Sequence, residues 1–183
     1  MTENMNIDKK LLIKIFLLFI PVSYASYLFH EFGHWIVGEA LGNKMAYSLN
    51  NVWPQSGHYI RAGQDVIVLV GGPVFTVLLS TLFLMVIEKY GTLYAYPVVF
   101  FQMFMRFFSL FFGGFGKQDE AKVSALLHLG SFTVAAIVLV VLFLIVLRAS
   151  TRLRINWKDN SYFLVMSTLG SVLVIATAGI LSR

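Results

Sequence analysis

The segment His30-Glu31-Phe32-Gly33-His34 sets two imidazoles four residues apart, with a carboxylate beside the first. Residues four apart on a helix share a face, one turn along. His30 and His34 can therefore present ring nitrogens to one metal ion at about 2.0–2.1 Å. Glu31 is rotated about 100° from His30, so it flanks that ion and reaches a water bound to it. Zinc lowers the pKa of such a water toward about 7, and a neighbouring carboxylate takes the proton as the water attacks a carbonyl carbon. Gly33 removes bulk between the ligands, leaving room for a substrate or a neighbouring helix. The bland alternative is two histidines at a helix end by coincidence. Against it, an ionisable cluster inside an apolar helix costs a few kcal/mol to bury and by default marks function.

Two histidines do not complete a site, since a catalytic zinc usually has three protein ligands and a water. The chain has no cysteine, so the third donor is His, Asp or Glu. The candidates are Asp119, Glu120, His58 and His128. Acidic residues at 119 and 120 also suit a helix N-terminus. His128 lies nine residues after Asp119, about half a turn out of phase on a single helix, so the two are not expected on one ion. A helix-packing hydrogen bond is the expectation for His128. Three roles are open to Arg106, which interrupts an apolar run: snorkelling, pairing with Asp119 or Glu120, or contacting substrate.

The elements that must carry these residues follow from composition. Of 183 residues, 58% are hydrophobic and 13% charged, well under the roughly one quarter charged in soluble domains. The apolar residues form runs near twenty residues long, enough to cross a hydrocarbon core of about 30 Å. The expected fold is an all-α polytopic transmembrane helical bundle, one domain over 1–183. Its five spans fall at about 11–41, 65–87, 93–112, 119–147 and 162–181. Polar stretches 42–65 and 148–161 are loops. In the first, 47–52 and 58–60 flank Pro54-Gln55-Ser56-Gly57, which reads as a short β-hairpin or a plain surface loop.

The net charge of +5 sits beside the apolar runs, as orientation signals do, and no nucleic-acid partner is expected. Lys9, Lys10 and Lys14 precede the first span; Arg148, Arg152, Arg154 and Lys158 lie between the fourth and fifth. Four crossings separate the clusters, so both face one side, expected to be the cytoplasm of a multi-pass cell-membrane protein. The lysines, the apolar run and Ser23-Tyr24-Ala25 imitate a signal peptide. Cleavage there would strip the histidine pair of its helix, so retention is expected. The same count gathers His30–His34, Gly71-Gly72-Pro73 and Asp119-Glu120 at the opposite, extracytoplasmic end. A straight fourth helix would carry Asp119 roughly 13 Å beyond the hydrocarbon, so a shallow, wet site is expected.

With these motifs in hand, the stretch from about 26 to 129 resembles the site-2 protease family of zinc intramembrane metalloproteases. The resemblance rests on His30-Glu31-Phe32-Gly33-His34 in the first span, Gly72-Pro73 early in the second and Asp119 ahead of a later apolar helix. It implies one Zn2+ held by His30, His34 and Asp119, with Glu31 catalytic, and membrane protein or peptide substrates. It also implies substrate contacts from Gly72, Pro73 and position 76. The chain departs from the family pattern twice: Glu120 follows Asp119 where Gly is usual, and Thr76 stands where Asn is usual. The alternative is a non-catalytic zinc-binding scaffold of the same family. A zinc transporter is a third class, although its ligands should be spaced along a path across the bilayer.

Overall fold

The computed structural model describes residues 9–112, 118–130 and 132–181. Among the described residues the regular structure is helical apart from one small sheet. Helix α1 spans Lys9–Ala40, α2 Gln64–Tyr90, α3 Tyr96–Phe112, α4 Asp119–Leu126, α5 Thr133–Leu153 and α6 Trp157–Leu181. Five helices, all but α4, are long and apolar enough to cross a membrane. Such helices satisfy every backbone group internally, which lipid demands. Their outer faces carry exposed Leu, Ile, Val and Phe, such as Leu17, Leu78, Leu144 and Leu173.

Packing inside the bundle has to come from shape and polar contacts, because lipid tails are as apolar as the side chains they replace. Phe19 of α1, Phe101 of α3 and Phe163 of α6 interlock, with ring centroids 6.4 and 5.9 Å from Phe19. Polar stitches register the helices: Gln102 Nε2 donates to Ser26 Oγ at 2.8 Å, and Tyr24 pairs with Thr177 at 2.6 Å. At one end of the bundle Glu88 of α2 takes Arg148 of α5 at 2.6 Å. Gly91 ends α2 in a left-handed conformation, φ +62°, which glycine adopts at little cost.

The expected fourth span is two helices. α4 ends at Leu126 and α5 begins at Thr133. Between them His128 and Gly130 take left-handed backbone, φ +54° and +85°, which a continuing helix does not tolerate. The phase argument separating Asp119 from His128 therefore had no single helix to act on. His128 is exposed in this turn. The 13 Å overhang rested on one straight helix, whereas α4 is a separate helix packed against α2 and α5.

The 42–65 loop does form a hairpin, with a different turn from the expected one. β1 (Met45–Tyr47) pairs antiparallel with β2 (Val52–Pro54), Tyr47 opposite Val52. The turn is thus 48–51, and His58-Tyr59-Ile60 is not a strand. Tyr47 OH donates to the Leu28 carbonyl at 2.5 Å, and Met45 N–H to Glu39 at 2.7 Å, tying the hairpin along α1.

Candidate metal centre

The histidine pair sits where α1 and α2 cross at closest approach. A Cβ on Gly33 would stand 2.6 Å from the Gly71 carbonyl oxygen, and one on Gly71 would stand 2.9 Å from the Gly33 carbonyl carbon. Only glycine at both positions lets the backbones meet, the small-residue contact by which membrane helices pack tightly. One residue on, a Cβ at Gly72 would lie 2.6 Å from His30 Nε2 and overlap the His34 ring. Gly72 therefore keeps open the space into which both imidazoles point.

α4 closes this space from the third side. His30 Nε2, His34 Nε2 and Asp119 Oδ2 form a near-equilateral triangle with edges of 3.2, 3.2 and 3.3 Å. Tetrahedral ligands about 2.0–2.1 Å from a zinc-sized ion stand roughly 3.3–3.4 Å apart, so the triangle fits such an ion. The outward nitrogens reinforce the fit. His34 Nδ1 lies 2.7 Å from the Val68 carbonyl, which only accepts, so Nδ1 carries the proton and Nε2 its lone pair. The Gly72 amide also points to that nitrogen, at the longer distance of 3.3 Å. His30 Nδ1 lies 2.9 Å from Thr76 Oγ1, and that hydroxyl donates to the Gly72 carbonyl at 3.0 Å. Both Nε2 atoms and a carboxylate oxygen thus converge, a donor set that could hold a cation. Two imidazoles and one carboxylate suit several divalent transition metals.

Asp119 is the residue off the spans whose ionisation matters here. Burial alone would raise its pKa, but the His30 and His34 rings beside it outweigh that and hold it well below the ordinary carboxylate range. It meets the centre as a carboxylate. Glu120 turns the other way: it is buried, and Arg106 Nη1 reaches its Oε1 at 3.4 Å. The adjacent acidic residues are thereby divided between the histidines and Arg106. His58 is exposed in the loop, and among the described residues only His30, His34 and Asp119 form a metal-ligand cluster.

A cavity of about 430 Å³ opens on the cluster. Glu31 lines it beside both histidines and Asp119, together with Arg106, Gln118 and the hairpin-turn residues Asn50 and Asn51. Pro73 lacks the N–H that would meet the Leu69 carbonyl one turn back, and Leu69 also lines the cavity. Thr76 does not line it. It is fully buried behind His30, so the structure places it as an orienting partner of the ring instead of at a substrate surface. Sequence reading missed this role, and it missed the Val68 carbonyl. A backbone acceptor carries no side-chain signature. The Thr76 signal was its place one turn after Gly72, legible only once α1 and α2 are set in register.

No protein-family model matches this sequence, and no curated protein or solved structure is detectably similar to it.

Proposed function

We propose that the chain is a zinc-dependent endopeptidase acting within the membrane on membrane-associated proteins or peptides, as its resemblance to site-2 proteases implies. The observation that carries the reading is the triangle of His30, His34 and Asp119 with Glu31 on the wall of the same cavity. Zinc, when bound, supplies a Lewis acid for a carbonyl and an acidified water.

The chain's own groups do the rest. Val68 and Thr76 fix the two ring tautomers through Nδ1, the outer-shell support that typically changes metal affinity by about 10- to 100-fold when removed. The Glu31 carboxylate takes a proton from water in the cavity and returns it to the leaving amine. A peptide carbonyl inside a membrane helix is already hydrogen-bonded within that helix, so the substrate segment opens locally to be cut. Asn50, Asn51 and Tyr59 on the cavity wall offer partners to the groups released.

We place the N-terminus and the basic 148–158 segment on the cytoplasmic side of the cell membrane, following the lysine and arginine bias. The metal cluster then lies in the opposite half of the bundle. A metal-stabilised scaffold is the second reading, favoured by Thr76, whose hydroxyl is consumed by His30 and Gly72. The deciding experiment is Glu31→Gln. The endopeptidase reading expects full metal content and a kcat lower by about 10²–10⁴-fold, the range for a lost general base. Cleavage by that variant at the wild-type rate would remove Glu31 as the base. Wild-type protein that holds metal and cuts no transmembrane peptide would favour the scaffold.

A further inference from the structure

We infer that a wedge between α5 and α6, at the end of the bundle away from the metal cluster, binds one anionic glycerophospholipid. Its phosphate meets Arg154 and an acyl chain lies along α3. The inference is independent of the endopeptidase reading. α3 packs against both α5 and α6, whereas those two helices, joined by a short turn, barely touch each other. The wedge they leave is a cavity of about 500 Å³. Protein interiors keep few voids larger than a water molecule, and an apolar opening that faces hydrocarbon is filled by lipid chains.

The lining changes character along the helix axes. Phe143, Leu147 and Leu164 flank a floor made by Phe100 of α3, and Arg154, Trp157 and Asn160 stand at the other end. From Phe143 to Arg154 the chain rises roughly 16 Å at about 1.5 Å per residue, close to one leaflet of a hydrocarbon core about 30 Å thick. Trp157 is largely exposed at the polar end, the headgroup level at which membrane proteins place tryptophan.

The polar end suits an anion. Arg154 is the charged residue among those lining the wedge; it is exposed and makes no ion pair among the described residues. Arg148 and Arg152 are instead committed to Glu88, and the buried Asp159 does not line the wedge. Arg154 also closes α5 at φ +58°, a backbone position that glycine usually fills, so the chain keeps this side chain where the backbone favours none. Asn160 Oδ1 accepts from Tyr96 OH at 2.6 Å, which leaves the amide hydrogens of Asn160 for an outside acceptor. The neighbouring hydroxyls are taken: Ser150 pairs with Tyr96, and Thr151 and Ser161 donate to the Leu147 and Lys158 carbonyls. A guanidinium offers paired N–H donors that match phosphate oxygens, and basic pockets between membrane helices bind anionic headgroups. An apolar helix of another protein would fill the slot but leave Arg154 unmet.

The test titrates the full chain, purified in a neutral detergent, with phosphatidylglycerol or phosphatidylcholine of the same acyl chains, read by native mass spectrometry. One phosphatidylglycerol per chain is expected to bind at least about tenfold tighter than phosphatidylcholine, the effect of a hydrogen bond to a charged group. Arg154→Gln should erase most of that preference. Lys14→Gln, which removes an equal charge from an exposed residue of α1, should keep it. Leu147→Trp, which fills the wedge, should weaken both lipids. Equal affinity of the wild type for the two lipids would overturn the assignment. Equal losses in Arg154→Gln and Lys14→Gln would also overturn it, reducing the effect to general attraction by a basic surface. So would a dimer that Leu147→Trp dissolves and phosphatidylglycerol does not displace, which would give the wedge to a second copy of the chain.

Discussion

His30 Nδ1 lies 2.9 Å from Thr76 Oγ1, an α1-to-α2 contact that turns the other ring nitrogen toward His34 and Asp119. The hydroxyl accepts from the ring and donates to the Gly72 carbonyl, so its own orientation is fixed as well. A ligand ring is aimed by the group behind it as much as by its own helix.

Removing that group should loosen the ion without removing a ligand. Thr76→Val keeps the volume but leaves His30 Nδ1–H without its acceptor. Zinc affinity, measured by competition with a chelator on purified protein, is expected to fall by about 10- to 100-fold. Thr76→Ser should restore most of it. Equal affinity in Thr76→Val and wild type would contradict the orienting role.

Arg106 and Glu120 offer a contrast in which charge, not ligation, decides. Both are buried, at 8% and 2% exposure. Stripping one partner of a buried pair strands the other charge, at a cost of about 3–5 kcal/mol, whereas replacing both with apolar residues is often near neutral. Glu120→Leu should therefore lower thermal stability strongly, and Arg106→Met with Glu120→Leu should recover most of the loss. A double variant no more stable than Glu120→Leu alone would contradict the pairing.

Much of this arrangement was legible before any coordinates. Long apolar runs have one structural solution in lipid, so the five spans, their order and the end at which His30, His34 and Asp119 collect followed from composition and counting. The break between α4 and α5 was hidden because 119–147 reads as nearly continuous helix-compatible sequence, with Gly130 as its interruption. That break brings Asp119 back to the histidines. The hairpin turn was misplaced because Pro54-Gln55-Ser56-Gly57 is the stronger local turn signal, while the register is set by tertiary anchors such as Tyr47 on Leu28.

Sidedness can be tested cleanly because the chain contains no cysteine. Trp157 is 87% exposed at the start of α6, and Gln55 is exposed beyond the hairpin. A membrane-impermeant maleimide should label Gln55→Cys in intact cells and Trp157→Cys only after permeabilisation. The reverse pattern would invert the orientation while leaving the site unchanged.

The most direct test is the metal content of purified wild-type protein beside Asp119→Ala and Glu120→Ala, by elemental mass spectrometry after dialysis. The account predicts about one zinc per chain in wild type, near-complete loss in Asp119→Ala, and retention in whatever Glu120→Ala protein remains folded. Wild type without a divalent metal, or Asp119→Ala with a full complement, would contradict it.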